Sequence, residues 1–307
     1  MRPWIHAIAA IWLTLAVRAE CAPAGVYSLT VGVDPPGSAY TTTARVYRFR
    51  SRYRASIFGV GNTGLSSSSG HFASSVGYIA QSEPNSVIIN GGFSGDNLFT
   101  ADGLLIVDGY IISPISLRQR QPSDMEKKDD IRSKYHLNSV ICQDHEGILT
   151  AWYTKNFDKS AKSILQRCTS AFQTRPMLAD DRDNLISSDE LTTGKAAVRT
   201  ILAWGIESET DDAGALYVIV FQQPIHLFSA TEFIISPYGG RFNAELQCGA
   251  KMRKSHSGHC KSKGGLGLGD AVNLAGGGNA FLYDHGKLIL GNTTFPATSA
   301  ISLRDGR

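Results

Sequence analysis

A chain of 307 residues, 42% hydrophobic and 19% charged, is long enough to bury a sizeable core and too mixed in composition to be disordered or fibrous. Its formal net charge of +3 is too small to mark a nucleic-acid binder. After the first residues no stretch approaches the roughly 20 apolar residues of a membrane helix.

Residues 1–24 read as a signal peptide. Arg2 supplies the positive start, residues 5–17 are apolar but short for a bilayer, and Val17-Arg18-Ala19 and Ala22-Pro23-Ala24 put small residues where cleavage needs them. An uncleaved anchor is the alternative. The domain proper then spans 25–307. It is expected to be secreted or periplasmic, with no membrane contact beyond the leader.

Residues 25–31 alternate like a strand, 34–38 form a Pro-Pro-Gly turn, and 41–49 alternate again with β-branched residues. Arg48, Arg50, Arg52 and Arg54 recur at every second position, which on one strand would give a single face, either solvated or anion-contacting. Residues 61–70 are a Ser/Gly loop, and 71–81 a short helix leading into an apolar strand that ends in Asn90-Gly91-Gly92-Phe93. Residues 104–112 are strand, Asp-Gly turn, strand. A charged surface helix is expected at 124–137. A hairpin is expected from 139–142 and 148–153 around Asp144-His145-Glu146-Gly147, and a helix at 159–168 capped by Asp158. Acidic 179–189 reads as an exposed loop without the spacing of a calcium site. Residues 195–205 and 215–221 are apolar runs, 222–224 (Gln-Gln-Pro) a turn, and Ser229-Ala230-Thr231-Glu232 a helix start with a capping pattern, ended by Tyr238-Gly239-Gly240. Residues 249–265 form a polar, basic insertion, read as a solvent-exposed loop or a lid over an anion. The chain closes on a strand at 271–274, the triple glycine Gly276-Gly277-Gly278, and two strands joined by Asp284-His285-Gly286. Helical and strand segments alternate irregularly, so the expected class is α+β: one domain with a mixed β-sheet packed by helices.

Export permits disulfides. Leader removal leaves Cys142, Cys168, Cys248 and Cys260. Pairing of neighbours, Cys142 with Cys168 and Cys248 with Cys260, closes the shortest loops. The alternative for the second pair is a metal site with His256 and His259, but the spacing matches no usual zinc pattern, and no metal is expected. The sequence requires no cofactor.

Two glycine-rich stretches carry the chemistry. Three residues without side chains let the backbone take positive φ and let another group approach closely, and exposed N–H groups there can cradle an anion. Arg199, inside the apolar run 195–205, needs a partner if buried. Its planar fork suits a phosphate, and equally a structural salt bridge.

The order Asn90-Gly91-Gly92-Phe93, a DG hairpin, Arg199-Thr200 followed by Gly205, then Asn273-Leu274 before the triple glycine and a final Gly286-Lys287 hairpin resembles the phosphodiester glycosidase family over about 74–303. The family usually places Asp before the triple glycine, where this chain has Ala275. Its Gln-x-Gly-Pro segment appears as Gln173-Thr174-Arg175-Pro176. The resemblance implies hydrolysis of a sugar-phosphate glycosidic bond in an envelope or exopolysaccharide glycan. The alternative is a glycan- or phosphate-binding protein that kept the fold and lost the chemistry. Asn90, Arg199 and Asp102 form the expected catalytic set, with Asp96 and Asp270 as other carboxylates that could replace the one missing at Ala275. Gly91, Gly92, Gln173, Thr200, Asn273, Gly276, Gly277, Gly278 and Asn279 form the expected substrate-binding set. The expected partner is the glycan or sugar-phosphate substrate, with no nucleic acid.

Overall fold

A computed structural model of the chain describes residues 24–33, 38–50, 52–59, 71–94, 101–115, 137–154, 166–206, 214–237, 244–247, 264–291 and 298–306. Nearly all of the leader, the loop at 61–70, most of the basic insertion, all but the last residue of the expected helix at 124–137 and nearly all of that at 159–168 lie outside them, as do Asp96, Cys248 and Cys260.

The strands fall into three sheets. The main sheet has eight, in the order β11 (Asp183–Asn184), β10 (Met177–Asp180), β15 (Ala271–Asn273), β12 (Ala197–Trp204), β13 (Leu216–Ile225), β2 (Ser38–Phe49), β1 (Gly25–Val33) and β14 (Ala244–Gln247). A second sheet of five runs β17 (Lys287–Leu290), β16 (Leu282–Asp284), β4 (Val87–Asn90), β18 (Ser299–Arg304) and β3 (Arg54–Gly59). The third, also of five, runs β6 (Tyr110–Ser113), β5 (Leu105–Val107), β9 (Ser170–Thr174), β7 (Ser139–Gln143) and β8 (Leu149–Tyr153). The α+β class holds. The single mixed sheet is corrected to three sheets whose described strand pairs all run antiparallel.

Side-chain alternation explains the layering. On β13, Tyr217, Ile219 and Phe221 face one core with Phe233 and Ile234 of helix α3 (Leu227–Ile235), while Leu216, Val218 and Val220 face another. That second core lies between the main sheet and the other two, and includes Ile57, Ile89 and Ile301 of the second sheet and Ile141 and Phe172 of the third. Burial on both faces makes residues 215–221 apolar throughout. Helix α1 (His71–Ser82) covers the far side of the second sheet, with Val76 and Ala80 against Ile88 and Ala300. Cys142 and Cys168 are joined, as the neighbour pairing predicts, and lie in a small core on the far side of the third sheet. No helix among the described residues is long and apolar enough to cross a membrane.

Four local expectations need correction. Gln222-Gln223-Pro224 is no turn but part of β13. The register slips between Ala197 and Arg199 of β12, and the Gln223 side chain accepts the Thr43 N–H at 2.7 Å, so the bulge absorbs a proline the ladder cannot use. Helix α3 starts before Ser229. Its N-cap is His226, and the Phe228 N–H donates to Glu190 Oε2 at 3.1 Å, a carboxylate from helix α2 (Glu190–Thr193). A distant acid thus replaces a local capping box. The acidic 179–189 segment contains the end of β10 and all of β11, joined by a tight turn with positive φ at Asp181 and Arg182. The arginine stripe is split: Arg48 ends in β2, a turn closed by Tyr53 N–H to Arg50 O follows, and Arg54 opens β3 in another sheet.

Candidate functional site

Asn90 is the last residue of β4 and only 1% exposed. Its Nδ2 donates to the Ala275 carbonyl, and its Oδ1 accepts from Thr200 Oγ1 at 3.0 Å and from the Phe281 N–H at 3.3 Å. One amide side chain therefore ties the second sheet to β12 and to both flanks of the triple glycine. Main-chain bonds reinforce the knot: Ala275 N–H donates to Gly91 O at 3.1 Å, and Leu274 N–H to Thr200 O at 2.9 Å.

Gly91 and Gly92 are glycines because other groups pass too close. A Cβ at Gly91 would lie 2.4 Å from Ser299 Oγ, and one at Gly92 2.8 Å from Gln173 O. Their N–H groups are spent: Gly91 donates to Ser299 O at 2.9 Å and Gly92 to Ser299 Oγ at 2.8 Å. These amides, expected to face a phosphate, instead hold β18. Ser299 carries no sequence signal that would have marked it.

The triple glycine divides its work. A Cβ on Gly276 would meet Val198 O at 2.7 Å and Arg199 Nη1 at 3.7 Å, so this glycine lies flat on the backbone of β12. Gly277 has φ +63° and open space around it, and it starts a single 3₁₀ turn, Gly277–Asn279. Gly277 and Gly278 are exposed, and their N–H groups take no partner among the described residues. Asn279 is half-buried beside them.

Arg199 and Thr200 are neighbours on β12 and turn to opposite faces. Thr200 points to Asn90. Arg199 is 4% exposed, donates from Nη2 to Lys195 O at 2.9 Å, and folds back under Gly276. The cation thus reaches the glycine loop from the face away from Asn90.

A second group joins through the crossover from β9 to β10. Asn273 Nδ2 donates to Arg175 O at 2.8 Å, Asn273 N–H to Pro176 O at 3.1 Å, and Thr174 Oγ1 to Asn273 O at 2.8 Å. Asn273 Oδ1 is buried and has no partner among the described residues. Arg175, also buried, donates from Nη2 to Asp102 Oδ2 at 2.7 Å, and its guanidinium lies 4.8 Å from the centre of the Phe93 ring. Asp102, whose side chain is 32% exposed, keeps contact with solvent. The cation at 175 is visible in the sequence. That it pairs with Asp102, 73 residues earlier, is not. Gln173 serves the fold: Oε1 accepts the Leu104 N–H at 3.0 Å, and Nε2 donates to Leu137 O at 3.1 Å.

Of the three carboxylates considered as substitutes at Ala275, Asp102 lies beside this group, and Asp96 lies outside the described residues. Asp270 sits at the far end of β15, where its Oδ1 accepts the Asp181 N–H at 2.8 Å. Burial, helped by the charges of Asp180 and Asp181, holds its carboxyl above the usual range, against the lowering effect of that hydrogen bond. No cluster of His, Cys, Asp or Glu among the described residues suits a metal ion.

No protein-family model matches the chain, and no curated protein sequence does. Among solved structures, the chain is similar to the zebrafish N-acetylglucosamine-1-phosphodiester α-N-acetylglucosaminidase catalytic domain, auto-inhibited by its pro-peptide. The TM-score is 0.55 at 14% identity, over 93% of this chain and 83% of that one. It is also similar to a hypothetical protein from Synechocystis, with a TM-score of 0.48 at 11% identity, over 91% of this chain and 62% of that one. The first likeness shows a distant relationship of fold to a phosphodiester glycosidase domain, reached independently of the motif order in the sequence.

Proposed function

We propose that the chain is an exported hydrolase that cleaves the glycosidic bond of a sugar-phosphate diester in an envelope or exopolysaccharide glycan. The observation that carries this reading is the Asn90 knot: it fixes the triple glycine, whose Gly276 lies against the buried Arg199 and whose exposed Gly277 and Gly278 amides take no partner among the described residues. Amides and a cation together bind and neutralise a phosphodiester.

In this scheme the phosphate sits on the Gly277–Gly278 amides, with Arg199 beneath. Asn279 accepts or donates to the sugar. Asp102, held by Arg175, takes a proton from water. The water oxygen bonds to the anomeric carbon as that carbon's bond to the phosphate oxygen breaks. The phosphate monoester leaves as an anion and needs little protonation, so one carboxylate suffices where ordinary glycosidases use two. Arg175 acts on the reaction only by orienting Asp102.

A second reading has its own observation. Ala275 leaves no carboxylate at the centre of the knot, and it is 2% exposed with its carbonyl bound to Asn90. A protein so built can bind a glycan phosphate without cleaving it. Assay of the mature protein on a synthetic alkyl diester of a sugar 1-phosphate separates the two. Turnover that falls about 100-fold or more in Asp102→Asn supports the hydrolase. Binding without turnover, lost in Arg199→Ala and with turnover gained in Ala275→Asp, supports the binding protein. Neither turnover nor binding removes both.

A further inference from the structure

The structure assigns a second ligand site to the opposite end of β12 and β15, one that takes an organic ammonium ion carried on a flat, apolar-faced body. It does not rest on the proposed hydrolase activity. Trp204 lies five residues along β12 from Arg199, which on a strand is roughly 17 Å.

A cleft of about 530 Å³ opens there, lined by Tyr53, Leu149, Trp204, Asp180, Asp181 and Asp270 among others. That volume is in the range of small-molecule sites. Its aromatic wall is fixed in place. Trp204 Nε1–H donates to Leu149 O at 3.2 Å, Tyr53 Oη–H donates to the same carbonyl at 3.2 Å, and Tyr53 Oη accepts the Leu149 N–H at 2.9 Å. Tyr53 is buried and holds Leu149 from behind, so the partly buried Trp204 ring, anchored on the same residue, needs no reordering when a flat group packs on it.

The charged part of the lining is all acidic, three aspartates among mostly apolar residues and glycines. Asp270 is half-buried, with one oxygen oriented by the Asp181 N–H, and Asp180 and Asp181 are exposed at the β10–β11 turn. No lysine, arginine or histidine lines the cleft among the described residues. The negative charge is therefore unrelieved by the wall itself, and Asp180 and Asp181 work against the ionisation of Asp270. A bare metal ion is not the fitting counter-charge, because these carboxylates do not converge into a metal-holding cluster. A larger cation fits better. An ammonium group reaches separated carboxylates through its several N–H donors while the body attached to it lies on Trp204.

Two sources of this chemistry, an aromatic amine and an amino sugar, are distinguished by probe. Titration calorimetry on the mature protein would use 2-phenylethylamine and the β-linked glucosamine disaccharide. Their neutral counterparts are 2-phenylethanol and the N-acetylated disaccharide. We expect at least one amine to bind at low salt and its counterpart not to. Asp181→Asn and Asp270→Asn should each weaken binding about fivefold, and raised salt should weaken it further. Asn at 270 keeps the oxygen that accepts the Asp181 N–H, so loss of binding there is not loss of fold, and Arg199→Ala should leave the amine affinity unchanged. The proposal is overturned if neither amine binds, if a neutral counterpart binds as tightly as its amine, if both Asp variants bind like the wild type, or if calcium alone displaces the amine.

Discussion

Strands β12 and β15 lie side by side, and their two ends treat polar groups in opposite ways. At the Arg199 end nearly every polar side chain is used up by the fold: Asn90 by three bonds, Gln173 by two, Arg175 by Asp102 and Phe93. Left without a partner there, among the described residues, are the amides of Gly277 and Gly278 and the buried Asn273 Oδ1, while Asp102 keeps contact with solvent. At the Trp204 end the backbone fixes the rings and one acid, and side chains face the cleft. A residue type that could carry chemistry is thus no measure of availability. The site proposed at the first end draws on main-chain amides beside a buried cation, and the one proposed at the second on carboxylates and the Trp204 ring.

The comparison is broken most severely at Asn90. Replacing it with Ala leaves the Ala275 carbonyl, the Thr200 hydroxyl and the Phe281 N–H without partners in a buried place, and should cost about 3 kcal/mol in urea denaturation. A loss under about 1 kcal/mol would mean that the knot does not hold the loop. Next comes Gly276→Ala, whose new methyl would meet Val198 O at 2.7 Å. Backbone cannot yield as a side chain tip does, so about 2 kcal/mol is expected, together with loss of any phosphate binding. Gly277→Ala sharpens the contrast. Nothing crowds that position, and only its φ of +63° resists a side chain, so the melting shift should correspond to about 1 kcal/mol. Equal costs at the two glycines would deny them separate roles.

The smallest effect belongs to the acidic end and has a sign. Burial and the neighbouring charges of Asp180 and Asp181 raise the Asp270 pKa in the folded state. Ionising it therefore costs the folded protein. That cost is absent below the unfolded value of about 3.9 and grows as pH rises through the folded one. Asp270→Asn should melt slightly above the wild type at neutral pH and together with it near pH ~3.5. A variant that melts below the wild type at neutral pH would show Asp270 to be a stabilising charge and not a strained one.

The strands were largely legible, because period-two patterning and turn pairs such as Asp108-Gly109 and His285-Gly286 are local, and both pairs take the positive φ such hairpins need. Which sheet a strand joins was not legible. Arg48 and Arg54 follow one alternation in sequence yet enter different sheets, since a turn at 50–53 that nothing in the arginine pattern marks lies between them. In the candidate site, Asn90, Arg199 and the triple glycine could be named from type and order. That Arg199 approaches from the far face, that Ser299 consumes the Gly91 and Gly92 amides, and that Arg175 finds Asp102 are facts of long-range packing. The start of α3 is hidden for the same reason: the acid that serves it is Glu190, from another element, and not a residue near Ser229.

Strand β18 lies between β3 and β4 in the second sheet, and its first residue anchors both amides after Asn90. During synthesis, β4 leaves the ribosome some two hundred residues before Ser299 does. A nascent chain halted short of Ser299 has neither β18, an interior strand that joins β3 to β4, nor the anchor of the Asn-Gly-Gly segment. The Asn-Gly-Gly segment, laid down early in the chain, therefore takes its final seat only once β18 has emerged and paired beside it.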